Sequence, residues 1–187
     1  MVTPENVITI SLAQVEQLFN TMDPSPFHER DLDDKAEQYI VGYAREMPRG
    51  QPFRLIVNVP QIELTTPAAA HVPEAIRSYF GYRALQSGQD LNELLRIGWR
   101  SMMIGLTVLG LCLFGVNFIS ADAMVSGVER FFVESLIIFG WVANWRPIEI
   151  FLYDWWPILS EARLLDRLAA MDVQVQDAPA ATARAAR

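Results

Sequence analysis

The chain of 187 residues has few cysteines, histidines and lysines, and the first two shortages count against disulfide-bonded and metal-binding proteins. A single cysteine, Cys112, excludes an intrachain disulfide. Two histidines leave few ligands for a metal centre. One lysine stands against fourteen arginines, a balance that is typical of proteins from bacterial genomes of high GC content.

Recognisable catalytic motifs are also missing. The sequence has no Gly-x-Ser-x-Gly turn, no glycine-rich phosphate loop and no cysteine with an evident histidine partner. We therefore predict no catalytic residue and no cofactor. Catalysis without such a motif stays open as an alternative.

Positive charge is scarce in the first half of the chain. Residues 1–95 carry seven Lys+Arg and thirteen Asp+Glu, which is a net charge of −6 out of −7 for the whole chain. Phosphate backbones and anionic lipids repel such an acidic region. Nucleic acid is therefore not expected as a partner.

Two long apolar stretches, at 101–120 and 131–150, distinguish the second half of the chain. The first has no charged residue, and at about 1.5 Å per residue it is long enough to cross a hydrocarbon core of roughly 30 Å. The charged side chains of the second lie near its ends, where they can reach the headgroups. We predict a transmembrane helical hairpin, with helices at 99–120 and 131–152 and a short external loop at 121–130.

Arginines flank the predicted inner ends of this hairpin. They are Arg96 and Arg100 before the first stretch, and Arg146, Arg163 and Arg167 at the end of the second and after it. The positive-inside rule then places both termini in the cytoplasm. The predicted location is a bacterial inner membrane, so that the lipid bilayer is one partner.

The acidic region is predicted to form a small α+β structure. Branched residues at 7–10 and alternation at 53–59 predict two strands. A capping-box spacing predicts a helix that starts at Ser11, and the acidic run at 31–34 predicts a second helix. Pro73 is typical of the first turn of a third helix.

Two connections stay open at this point. The third helix either continues into the first apolar stretch or breaks near Gly88. Residues 157–176 begin with an amphipathic helix and end in an alternating segment at 172–176, which is either a strand of the sheet or the start of a tail. Residues 177–187 are predicted to be disordered. The predicted fold class is thus a membrane hairpin of two α-helices with a small α+β cytoplasmic domain, built from the N-terminal region either alone or together with the C-terminal segment.

The densest polar cluster is His-Glu-Arg-Asp-Leu-Asp-Asp at 28–34. His28, Glu29 and Asp31 are candidates for a metal or acid–base site, with His71 as the only other histidine. A loop followed by a helix N-cap explains the same residues, and we favour that interpretation.

Residues 140–157 combine tryptophans, prolines and charges at the predicted inner membrane edge. Arg146 and Glu149 are three residues apart, so they can pair on one helix face, and Pro147 is expected to kink the helix. The segment either anchors the chain at the interface or forms a recognition surface. The interaction candidates are Trp141, Trp145, Arg146, Glu149, Tyr153, Asp154, Trp155 and Trp156.

Small residues predict close packing between the two apolar helices. The first stretch offers Gly105, Gly110 and Gly115, and the second offers Gly140 and Ala143. Simple packing within the hairpin is the favoured interpretation, and oligomerisation through another face is the alternative.

The strings DPSPFHERDLD at 23–33 and GWVANWRPIEIFLYDWWPI at 140–158 resemble those of a family of small bacterial membrane proteins. The resemblance covers most of residues 7–175. It implies a cytoplasmic N-terminal region and a two-helix membrane hairpin. Because the family is uncharacterised, the resemblance implies no catalytic or binding residues.

Together these patterns predict an integral membrane accessory, assembly or scaffold protein that is not an enzyme. Its partner is expected to be another membrane protein or a second copy of the chain. One alternative is a membrane-associated metal-dependent enzyme that uses residues 28–31. The other is a small channel or transporter made of several copies, which requires polar residues facing a lumen.

Overall fold

The computed structural model describes residues 6–20, 30–48, 52–119 and 127–178. The chain divides into two compact units. The first comprises Met1–Gln86 and Glu161–Arg187 and is called the sheet unit here. The second, Ser87–Ser160, is called the apolar unit.

A parallel three-stranded sheet organises the sheet unit. Its strands are β1 (Val7–Ser11), β2 (Arg54–Val59) and β3 (Asp172–Asp177), in the order β1-β2-β3. β2 lies in the centre, where Leu55 stands opposite both Ile8 and Val173. Both predicted strands are confirmed, and the alternating segment at 172–176 is a strand of the same sheet. The sheet therefore joins the two ends of the described chain.

The helices follow one another in chain order. They are a 3-10 helix at Val15–Leu18, α1 (Asp34–Glu46), α2 (Gln61–Leu64), α3 (Pro67–Ile119), α4 (Gly127–Ala143), α5 (Trp145–Glu149), a π-helical segment at Ile150–Asp154, and α6 (Trp155–Ala169).

Helices cover one face of the sheet. On that face the β2 side chains Leu55, Val57 and Val59 are fully buried. The opposite face is polar, and its side chains at Thr9, Gln174 and Gln176 are exposed. Helical residues that complete the core are Val15, Leu18, Ile40, Ala44, Val72, Ile76, Phe80, Leu165 and Leu168.

The predicted helix from Ser11 is wrong. Ser11 is the last residue of β1 and pairs with Asn58, so its backbone belongs to the sheet. Only the 3-10 helix at Val15–Leu18 follows, and Gln14 at its N-cap position makes no side-chain capping bond. The capping-box spacing failed here because the ladder with β2 takes the backbone that a cap requires.

α1 begins where the acidic run predicts a helix. Asp33 is its N-cap and accepts a hydrogen bond from the Lys35 amide at 3.0 Å. Tyr39, Ile40 and Tyr43 have the sequence spacing of an apolar stripe along this helix, but only part of that stripe is buried. Ile40 is buried, whereas Tyr39 and Tyr43 are exposed.

α3 is one continuous helix of 53 residues, which settles the open question about Gly88 in favour of continuity. It begins before Pro73, because the Thr66 hydroxyl accepts a hydrogen bond from the Ala69 amide at 3.4 Å and so caps the helix earlier. α3 passes from the sheet unit into the apolar unit.

The predicted membrane hairpin of two spanning helices is wrong. Within the described ranges, α3 is the one helix long and apolar enough to cross a membrane, judged by length and composition. The second apolar stretch is divided among α4, α5 and the π-helical segment. α4 has 17 residues, which at ~1.5 Å each gives about 25 Å and falls short of a ~30 Å hydrocarbon core.

The predicted external loop at 121–130 is corrected in part. Residues 127–130 belong to α4, and residues 121–126 lie outside the described ranges. Of the predicted tail at 177–187, Asp177 is the last residue of β3, and residues 179–187 also lie outside the described ranges.

Candidate functional site

The eight interaction candidates lie in one stretch of the apolar unit, from the end of α4 to the start of α6. The helical path is irregular there at two points. One is the turn at Asn144 between α4 and α5, and the other is the π-helical segment at Ile150–Asp154. π-Helical segments such as the second are often found at functional sites.

Asn144 fixes the first irregularity. Its side-chain Nδ2 donates to the Gly105 carbonyl at 3.0 Å and to the Gly140 carbonyl at 2.9 Å. The residue is 9% exposed, so both hydrogen bonds lie in an apolar surrounding where they count for more than in water. Asn144 thereby joins α4 to α3, a role that sequence analysis missed.

Glycines allow this close approach. A Cβ on Gly105 would lie 2.7 Å from Asn144 Oδ1 and 2.9 Å from the Ala143 carbonyl oxygen. A Cβ on Gly140 would lie 2.8 Å from Leu109 Cδ1. The predicted use of Gly105 and Gly140 is confirmed, whereas a Cβ on Gly110 would meet no neighbouring atom of the described residues within 4 Å.

Pro147 does not kink a helix as predicted. α4 has already ended at Ala143, and Pro147 is the third residue of the new helix α5. The missing N–H costs little there, because first-turn amides have no partner within a helix.

The π-helical segment lies against Gly98. Ile150 is fully buried, and a Cβ on Gly98 would lie 2.9 Å from its Cγ2. The Phe151 ring packs edge-on against Trp99, with 5.8 Å between centroids. Gly98 was not among the predicted packing glycines, yet it positions this segment.

A three-residue ionic cluster forms beside the irregular turns. Arg146 Nη1 lies 2.9 Å from Glu149 Oε2, which confirms the predicted pair. The same nitrogen lies 3.1 Å from Asp154 Oδ2, a partner that the sequence did not indicate. Two carboxylates share one guanidinium, so the cluster carries a formal charge of −1.

An apolar groove of about 560 Å³ borders the cluster. Its walls come from α4 and α5, and Arg146 is the one charged side chain among the described residues that line it. The lining residues are Ile137, Ile138, Trp141, Val142, Trp145 and Arg146. The indoles of Trp141 and Trp145 are 68% and 70% exposed, so they stand at the open side of the groove.

The three remaining aromatic candidates separate into two roles. The Trp155 indole donates to the Phe151 carbonyl at 2.9 Å. This bond links the first residue of α6 to the π-helical segment that precedes it. Tyr153 and Trp156 are exposed and present their rings outward. Trp156 also contacts Trp155, with 5.0 Å between ring centroids.

The metal candidates are not assembled by the described residues. His28 and Glu29 lie outside the described ranges, and the Asp31 carbonyl accepts a hydrogen bond from the Asn20 amide at 2.8 Å. In the part of the chain that the structure describes, no group of three His, Cys, Asp or Glu residues is placed to hold a metal ion.

The sheet unit contains a polar network that sequence analysis missed. Glu37 of α1 accepts from the Tyr79 hydroxyl at 2.8 Å and from Arg83 Nη2 at 2.9 Å. Burial, and next the hydrogen bond to Glu37, raise the pKa of Tyr79 above its ordinary value. The network ties α1 to α3 beside the hydrophobic core.

No protein-family model, no curated protein and no solved structure matches the chain. The resemblance of the strings at 23–33 and 140–158 to a family of bacterial membrane proteins therefore stays a prediction.

Proposed function

We propose that this protein is a non-catalytic accessory, assembly or scaffold protein, anchored in a bacterial inner membrane with the sheet unit in the cytoplasm. One observation carries the proposal. The apolar unit exposes large hydrophobic side chains along α3 and α4. Contact of such a surface with lipid tails carries no hydrophobic cost, whereas its contact with water does. Examples are Met103, Ile104, Leu111, Phe114, Phe118 and Phe139.

The shared sheet supports a cytoplasmic position for both ends of the chain. β3 pairs with β2, and β2 pairs with β1, so the segments at 7–11 and 172–177 lie on the same side of a membrane, and the chain between β2 and β3 must leave the membrane on the side where it enters. Arg96 and Arg100 in α3 and Arg163 and Arg167 in α6 favour the cytoplasmic side by the positive-inside rule.

The partner surface is proposed at the exposed aromatic residues that follow the ionic cluster. Tyr153 and Trp156 present rings outward, and tyrosine, tryptophan and arginine dominate the energy of protein interfaces. The partner is another membrane protein or a second copy of this chain. Either one makes the protein an accessory or scaffold component.

Site-specific photo-crosslinking in the native membrane tests this proposal. A benzophenone amino acid replaces Tyr153 or Trp156 in the tagged full-length chain, and Tyr82, an exposed tyrosine of the sheet unit, is the matched control. We expect one crosslinked species of defined mass from positions 153 and 156 and none from position 82. Mass spectrometry then identifies the captured chain.

Two results would contradict the proposal. Release of the chain from membranes by an alkaline wash would show that the chain is not anchored in the membrane. A retained chain that crosslinks at neither position 153 nor position 156 would remove the partner surface.

A further inference from the structure

We propose that the apolar groove and the ionic cluster together bind one phospholipid with a zwitterionic headgroup, of the phosphatidylethanolamine kind. The groove would take part of an acyl chain. Arg146 would hold the phosphate, and Glu149 with Asp154 would hold the ammonium group. The inference depends on the membrane anchoring of the proposed function but not on its protein partner.

The groove has the size and lining of a lipid-tail site. Its volume of about 560 Å³ falls in the range of small-molecule sites. Five of its six lining residues are apolar, and the sixth, Arg146, carries the charge. An alkyl chain fits these walls, whereas a polar ligand would leave its own polar groups unpaired.

The charges of the cluster select the headgroup. Both ion pairs of Arg146 are made by Nη1, and a guanidinium has five N–H donors, so its other nitrogens can donate to a phosphate. Glu149 and Asp154 have side-chain exposures of 44% and 31%, which lets an ammonium group reach them. A headgroup with phosphate alone meets a cluster of net charge −1, whereas a zwitterion satisfies both signs.

The tryptophans place the groove at the depth of the headgroups. The indoles of Trp141 and Trp145 lie on either side of the turn at Asn144, four residues apart in sequence, and are largely exposed. Indole rings prefer the membrane interface, where phosphate and ammonium groups also lie. The lipid headgroup and the ionic cluster therefore occupy the same level.

Native mass spectrometry of the full-length protein tests the lipid preference. The protein in mild detergent is offered equal amounts of dioleoyl phosphatidylethanolamine and dioleoyl phosphatidylglycerol. We expect the wild type to retain one molecule of the ethanolamine lipid with about tenfold preference, the factor that one charge-assisted hydrogen bond contributes.

Charge variants make the test specific. The double change Glu149→Gln with Asp154→Asn turns the cluster from −1 to +1, so it should reverse the preference towards the glycerol lipid. Arg146→Gln should weaken retention of both lipids. Arg130→Gln is the matched control, because Arg130 pairs with Glu134 at 3.2 Å on α4 outside the groove lining, and this variant should keep the wild-type preference.

Equal retention of the two lipids by the wild type, or an unchanged preference in the double variant, would overturn the inference. If a charge variant fails to fold, quenching of the wild-type tryptophans by acyl-brominated lipids replaces it. The ethanolamine lipid should then quench more strongly than the glycerol lipid, and equal quenching would also overturn the inference. If a partner is crosslinked but the protein shows no lipid preference, only the proposed lipid site is contradicted. If the protein shows the lipid preference but no partner is crosslinked, only the proposed partner surface is contradicted.

Discussion

At the scale of single residues, the apolar unit depends on one amide and on the glycines that face it. The Asn144 side chain donates to the carbonyl oxygens of Gly105 and Gly140. Gly105 lies in α3, 39 residues earlier in the chain. The small residues of the sequence correctly predicted where α3 and α4 approach each other, because glycine allows close contact between helices. The partner of Asn144 was not predictable, since no local pattern indicates a bond across such a separation.

We expect Gly105→Ala to destabilise the apolar unit by about 1–3 kcal/mol, the usual cost of overpacking. The added methyl would lie 2.9 Å from the Ala143 carbonyl oxygen, a backbone atom that cannot move aside cheaply. Gly110→Ala is the control, because its methyl meets no atom within 4 Å. It should be neutral or stabilising by up to about 1 kcal/mol. Unfolding by SDS titration in mixed micelles measures both, and equal effects would contradict the packing described.

We expect Asn144→Ala to lower the free energy of unfolding of the apolar unit by about 1–2 kcal/mol. The change removes one hydrogen bond from each of two buried carbonyls, those of Gly105 and Gly140. Thr107→Ala is the control. The Thr107 hydroxyl donates to the Met103 carbonyl of its own helix, at 2.8 Å, and the residue is exposed. Its loss should change stability by less than about 0.5 kcal/mol. The same SDS titration applies, and a neutral Asn144→Ala would show that the amide does not join the helices.

At the scale of elements, periodicity predicted the strands and the start of α1, but not the helix breaks in the apolar unit. β2 alternates because one of its faces packs on the core, which is a local signal. The turn at Asn144 arises from contacts with α3, and Pro147, the evident breaker, lies just after it. Similarly, the tyrosines of α1 fit a helical stripe, yet Tyr39 instead donates its hydroxyl proton to the Thr9 carbonyl at 3.3 Å.

The contact between α1 and α3 should depend on pH through Tyr79. Because the pKa of Tyr79 is raised above its ordinary value of about 10, the folded unit keeps the phenol proton at a pH where the unfolded chain releases it. The stabilisation is therefore complete below about pH 10 and declines as pH rises further.

We expect Tyr79→Phe to lower the stability of the contact between α1 and α3 by about 1 kcal/mol at neutral pH. The decline of that stability at alkaline pH should be shallower in this variant. Tyr82→Phe is the control, since Tyr82 lies on the same helix and is exposed. Hydrogen exchange of the α1 peptides as a function of pH, read by mass spectrometry, measures both effects. An alkaline decline of unchanged slope in Tyr79→Phe would assign the decline to other groups.

At the scale of the whole molecule, the sheet makes the two ends of the chain interdependent. β2 bonds to β1 on one side and to β3 on the other, and β3 comes more than a hundred residues later in sequence. The alternation at 172–176 indicated a strand, but its place in the sheet depends on a long-range pairing that sequence alone left open. Such non-local contacts form late, because the chain between them must first be ordered.

We expect Val173→Asp to unfold the sheet unit while leaving the apolar unit helical. Val173 is 6% exposed and stands opposite Leu55, so a carboxylate there would be buried without a partner, at a cost of several kcal/mol. Gln174→Asp places the same charge one residue later on the exposed face and should be tolerated. Hydrogen exchange of peptides from 7–11 and 54–59 distinguishes the two variants. Fast exchange at both segments in Val173→Asp alone would show that a C-terminal strand holds the N-terminal half of the sheet together. Retained protection at 7–11 would mean that β1 and β2 are stable without it, and that the chain ends are not interdependent.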